Sequence, residues 1–224
     1  MCGIFGFLST NGRGPDLACL RRIAAETETR GRHAFGLAWV DAGGVLRAFK
    51  RPGAATACLD DLEACRHAVA VIGHCRWATH GDPKDARNNH PHPAGRGWLV
   101  HNGVVRNYRE LVRRYGLRPT SDCDSEVLGL LMMRRAGPLA QRAAWAVAQA
   151  EGPLALLGLW RKPVRLVVVR HGNPLCFSET PGGFYFASLP AGLPGRVFSV
   201  ADGYTSVLHL EGGAVKHQKL SILA

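Results

Sequence analysis

The chain opens Met1-Cys2-Gly3-Ile4-Phe5-Gly6-Phe7-Leu8-Ser9. Cys2–Ser9 is a short apolar run of strand length, ended by the turn-rich segment Thr10–Pro15. No basic region precedes the apolar residues, so the stretch is not a secretory signal. It carries a thiol at the second position. If Met1 is removed, Cys2 holds a thiol and a free α-amine on adjacent carbons, and an amine of pKa about 7.7–8.0 is a ready local base. A lone cysteine is more often buried and inert, so the rest of the chain decides how this one is read.

Outward from that strand the pattern alternates strands and helices. Asp16 precedes Leu17, Leu20, Ile23 and Ala24, one apolar face of a helix that stops before Gly31. Phe35–Asp41 and Val45–Arg51 read as a hairpin, Leu59–His67 as a short helix and Ala68–His74 as a strand. The stretch from Ala78 to Gly97 reads as a long loop, the kind that is usually functional. Trp98–Val105 reads as a strand interrupted by Asn102-Gly103, Tyr108–Tyr115 as a helix, and Asp124–Arg135 and Pro138–Ala150 as consecutive helices. From Leu154 onward six strands are expected: Leu154–Arg161, Val164–Arg170, Phe184–Ser188, Val197–Val200, Thr205–Leu210 and Ala214–Gln218. Hairpin connections on this scale fit packed antiparallel sheets covered by helices, in one domain over residues 1–224.

Composition sets limits. The 224 residues are 46% hydrophobic and 20% charged, which is globular composition. No apolar run approaches the 18 or so residues that span a membrane, and a cytoplasmic location is expected. Seven cysteines without a CxxC pair point to reduced thiols rather than a disulfide framework. The net charge of +11 raises the question of nucleic acid, but the basic residues are scattered, and that partner is disfavoured. Neither dinucleotide nor P-loop glycine patterns are present, so no cofactor is expected. His74, His80, His90, His92 and His101 with Cys75 and Cys123 could supply metal ligands. None shows the helical spacing of a ligand set, and no metal is expected.

Six ordered blocks carry the functional signal. They are Met1–Gly6, Arg30-Gly31 followed by Gly36, Gly73-His74-Cys75-Arg76-Trp77-Ala78-Thr79-His80-Gly81, Asn89-His90-Pro91-His92, Val100-His101-Asn102-Gly103 and Asp124-Ser125-Glu126-Val127. Together they resemble the class II glutamine amidotransferases, in the branch of the glucosamine-6-phosphate synthases. Arg170–Leu175 extends the resemblance weakly. The family's fold is the Ntn-hydrolase type, an α+β four-layer αββα sandwich of two antiparallel sheets flanked by helices, and the resemblance implies it here.

The resemblance also implies roles. Cys2 is the nucleophile that attacks glutamine's side-chain amide. Asn102 and Gly103 form the oxyanion hole, although Asn-Gly is also the commonest hairpin turn. Arg30 and Gly31 support Cys2, or else complement and cap the end of the first helix. Arg76 holds the substrate's α-carboxylate, a task for a planar bidentate donor. Asp124 holds its α-ammonium, and by position it is also a candidate helix N-cap. Trp77, Thr79 and His80 belong to the segment that covers glutamine.

Two departures stand out: His33-Ala34 where the branch has Asp-Ser, and Cys75 where it has Thr. The sugar-isomerase part of the branch has no counterpart. A stand-alone glutaminase subunit that supplies ammonia to a separate synthase is therefore expected. Two other readings remain open: an Ntn-type amidase on another amide, and a catalytically silent basic binding protein of the same fold.

Overall fold

β1 (Gly3–Ser9) forms because its residues are apolar on both faces, and it lies at the middle of a seven-stranded sheet. In the computed structural model, which describes residues 1–211 and 214–222, that sheet runs β11-β9-β10-β1-β4-β2-β3. The other strands are β2 (Ala34–Asp41), β3 (Leu46–Pro52), β4 (Ala68–Arg76), β9 (Cys176–Thr180), β10 (Gly183–Ala187) and β11 (Val197–Ser199). A six-stranded sheet packs on it, in the order β13-β12-β8-β7-β6-β5. It contains β5 (His92–Ala94), β6 (Gly97–Gly103), β7 (Leu154–Trp160), β8 (Arg165–His171), β12 (Tyr204–Glu211) and β13 (Ala214–Ser221). The paired strands of both sheets are antiparallel.

Alternation along the strands builds three apolar layers. Ile4, Leu8 and Ile72 of the first sheet meet Val100, Leu157 and Val168 of the second between the sheets. Phe5 and Phe7 point the other way, onto Leu20 and Ile23 of α1 (Leu17–Glu28). On the far side, Leu99, Leu156 and Val167 pack under α3 (Glu126–Arg134) and α4 (Leu139–Gln149), with Leu111 of α2 (Tyr108–Tyr115). Helix, sheet, sheet, helix is the four-layer order expected.

Several local expectations need correction. The short helix expected at Leu59–His67 is a 3-10 segment over Ala55–Cys65, kinked at Cys58. The Ala78–Gly97 loop contains a 3-10 turn at Ala86–Asn88 and the short β5. β9 went unforeseen, because its Ser178, Glu179 and Thr180 mask a strand that pairs on both edges. Asn102-Gly103 does not interrupt β6: the strand runs through both residues and ends there.

Candidate active site

The register of the central strands assembles the site. Gly3 pairs with Cys75 on β4, which puts Cys2 beside Arg76 and Trp77 where β4 ends. Ala34 of β2 pairs with Arg76 on the other edge. Across the interface, β6 delivers Asn102 and Gly103 at its own terminus, opposite Leu154–Ala155 of β7. Two strand ends from two sheets therefore meet at one place.

A cavity of about 320 Å³ lies there, and Met1, Cys2, Trp77, Thr79, Asn102, Gly103, Arg106 and Asn173 are among the residues that line it. Cys2 Sγ is held by the backbone of one residue: Trp77 N–H donates to it at 3.3 Å and the Trp77 carbonyl lies 3.3 Å away. Burial pushes the Cys2 thiol above its ordinary value, while the Trp77 N–H and the Arg76 charge pull against that rise. The thiol is thus protonated at rest and needs a base to become a nucleophile.

Arg30 Nε donates to the carbonyl of Cys2 at 2.7 Å. Of the two readings of Arg30, the one beside Cys2 is the contact observed. Gly31 is no left-handed helix cap, since its φ is not positive. Its role is close approach: a Cβ there would stand 2.4 Å from Arg76 C and Trp77 N. His33 belongs to the same contact. It accepts from Ala78 N–H at Nδ1 (3.0 Å), and its ring lies 4.7 Å from that of Trp77.

Asn102 is fully buried, and neither Nδ2 nor Oδ1 has a hydrogen-bond partner. Gly103 has φ +153°, and a Cβ would meet the Pro153 carbonyl at 2.5 Å and His101 Nε2 at 2.7 Å, so only glycine fits. Asn173 was not singled out by sequence, although it falls within the weak Arg170–Leu175 block. Its Nδ2 donates to the carbonyls of Asn102 (2.8 Å) and Pro153 (3.1 Å).

Arg76 and Asp124 are buried and act on the thiol electrostatically, but neither lines the cavity. The Arg76 guanidinium donates to Asn89 Oδ1 (2.7 Å), to Gly81 O (3.1 Å) and to His80 O, so it ties down the loop after β4. Asp124 is not the N-cap of α3, a position taken by Ser125. Its Oδ2 accepts from Val105 N–H at 2.6 Å and its Oδ1 lies 3.7 Å from His80 Nδ1. Trp77 is half exposed at the cavity, and Thr79 is in the lining.

Residues 74–194, more than half of the chain, match the glutamine amidotransferase domain model. The chain belongs to this family. Within it, the class II branch is the one shared. The glutamine–fructose-6-phosphate aminotransferase (isomerizing) of Symbiobacterium thermophilum is 36% identical over 230 residues, covering 95% of this chain and 36% of that protein. The amidotransferase domain thus spans well under half of the curated relatives it matches. Bacillus subtilis glutamine phosphoribosylpyrophosphate amidotransferase superposes with a TM-score of 0.77 at 20% identity, over 97% of this chain and 49% of that one. A class-II domain protein of Silicibacter pomeroyi superposes with a TM-score of 0.63 at 16% identity, over 98% of this chain and 100% of that one. At those identities the likeness is one of fold, the Ntn-hydrolase sandwich. The amidotransferase domain is an enzyme of class II, and no described helix is long and apolar enough to cross a membrane.

Proposed function

We propose that this amidotransferase domain, one unit over residues 1–224, hydrolyses glutamine to glutamate and ammonia. The observation that carries the reading is that Cys2 and Asn102 line one cavity while the Asn102 amide is buried without a partner. An unpaired buried donor is costly at rest, and one held in that state is free to receive a charge that forms only during reaction.

With Met1 removed, the α-amine of Cys2 takes the thiol proton and Sγ attacks the amide carbon of glutamine. The developing oxyanion is received by Asn102 Nδ2 and the Gly103 N–H. Collapse returns the proton to the leaving nitrogen, which departs as ammonia and leaves a glutamyl thioester. Water, deprotonated by the same amine, attacks the thioester and releases glutamate and the free thiol. Arg30 and Gly31 hold Cys2 and the β4 terminus at the right separation. Arg76 receives the α-carboxylate by exchanging a loop carbonyl for it, and Asp124 receives the α-ammonium. Trp77, Thr79 and His80, on the loop that Arg76 ties down, cover the bound amino acid.

The ammonia passes to a separate synthase, in the cytoplasm. In the Symbiobacterium thermophilum aminotransferase the matching part is 36% of the whole, so a synthase that takes up the ammonia is the partner this reading calls for. The test is direct. Protein lacking Met1 should release ammonia from glutamine, and a glutamine-like diazoketone should label Cys2 alone among the seven cysteines. A folded, Met1-free protein that does neither overturns the reading. The separate synthase is tested by co-purification from the source cells: an acceptor on the same polypeptide would refute it.

A further inference from the structure

Three side chains with no part in that chemistry meet beneath the site. His90 and His92, where the chain enters β5, and Cys123, just before α3, place their ligand atoms within 4.8 Å of one another. They are 3%, 1% and 5% exposed. Both ring nitrogens of His90, and Nε2 of His92, are buried without a hydrogen-bond partner. Buried imidazole nitrogens normally have a partner, and three such orphans in one place call for something that is neither backbone nor side chain. None of the three residues lines the cavity beside Cys2.

We propose that His90, His92 and Cys123 bind a zinc-class transition-metal ion. The donor set selects the ion. Two imidazoles and a thiolate suit Zn²⁺ and other borderline-soft cations, whereas Mg²⁺ and Ca²⁺ require oxygen donors. Three protein ligands leave a fourth position for solvent. On binding, the Cys123 S–H bond breaks, its proton goes to solvent and the sulfur pair forms the metal–sulfur bond. The site therefore gains one net positive charge rather than two. Lys50, fixed 2.8 Å from the Asn89 carbonyl and 3.2 Å from that of Pro91, is a nearby cation, and the thiolate charge lowers the repulsion between it and the bound ion.

The ion joins two segments distant in sequence. One carries Asn89, which holds Arg76; the other carries Asp124. It is thus a structural clamp under the proposed amino-acid pocket, and its existence does not depend on the glutaminase reading.

The experiment uses the full chain, stripped by a chelator and titrated with Co²⁺. One equivalent should bind, with a thiolate-to-cobalt band in the near ultraviolet and tetrahedral bands in the visible, both abolished by excess Zn²⁺. Cys123→Ser should remove the thiolate band. His92→Gln should keep the band and weaken binding beyond the 10–100-fold that an outer partner is worth. Cys2→Ala should bind Co²⁺ as the wild type does. Circular dichroism confirms folding, and if Cys123→Ser does not fold, His92→Gln decides. Absence of saturable binding to the folded, stripped chain overturns the proposal. So does wild-type affinity in His92→Gln, or a band lost in Cys2→Ala but kept in Cys123→Ser.

Discussion

Asn173 Nδ2 donates to the carbonyl oxygen of Asn102 at 2.8 Å, from a position on the wall of the cavity that also holds Cys2. The Asn102–Gly103 peptide is planar, and its C=O and N–H point in opposite directions. Fixing the carbonyl therefore fixes the direction of the Gly103 N–H. Asn173 also holds the Pro153 carbonyl, so one side chain sets both walls around Gly103.

Asn173→Asp removes the donor and keeps the shape. We expect kcat for glutamine hydrolysis to fall by about 10²-fold, the scale of a misplaced catalytic group. KM should move far less, because no contact to the amino-acid head group changes. Steady-state kinetics on the Asp and Ala variants check this. Wild-type kcat in Asn173→Asp would show that Asn173 is only structural.

Asn102→Ala separates activity from stability. Removing an oxyanion donor should lower kcat about 10²–10³-fold. The side-chain amide has no partner to lose, so stability should hold or rise, since a buried unsatisfied group is itself a cost. Thermal melting beside kinetics is the measurement. A large drop in Tm would mean that the amide is engaged structurally.

Gly31→Ala acts through space rather than torsion. The new Cβ would sit 2.4 Å from backbone atoms of Arg76, the last residue of β4 and paired with Ala34, and of Trp77 that follows it. Overpacking of that kind costs about 1–3 kcal/mol, and here it also pushes the Trp77 backbone away from Cys2 Sγ. Urea denaturation should show the loss with an unchanged m-value, and labelling of Cys2 should slow.

Acid stability follows from the buried histidines. Burial pulls His74 down to about 3, and burial likewise lowers His101. In the unfolded chain each titrates near about 6.5. Below that pH the unfolded state takes up protons that the folded state refuses. The stabilising contribution of neutral histidine is therefore complete above about pH 6.5 and declines as pH falls toward about 3 for His74. Denaturation curves between pH 7 and 4, in the presence of chelator, should show a steady fall, blunted in a His74 variant that still folds.

Much of the site was legible because its residues sit in short contiguous blocks. Cys2, Arg76 to His80, and Asn102-Gly103 each lie at a strand end, where a local motif and a local geometry coincide. Asn173 escaped because its role is a contact to a carbonyl 71 residues away, and a lone asparagine in a turn gives no pattern. The proposed metal cluster has no helical spacing for a sequence pattern to register. His90 and His92 lie two apart at the start of an extended segment, and their third partner arrives from before α3. β9 was missed since strand propensity is weak where polar residues interleave, and pairing on both edges supplied what propensity lacked.

Apolar periodicity, a local property of a chain, marked most strands and helices, with β9 and the 3-10 segment Ala55–Cys65 as exceptions. The order of residues also fixed the chemical equipment, a thiol at position 2 and an asparagine–glycine pair a hundred residues on. Where those groups stand was decided by strand register. Gly3 facing Cys75, and β6 crossing β1 and β4 at the same end, set the thiol and the amide on one cavity. The same packing tied the Arg76 guanidinium to its own loop, a placement that no pattern in the chain announces. Distances between side chains remote in sequence depend on how whole layers close on one another, and that closure follows from burying three apolar layers at once.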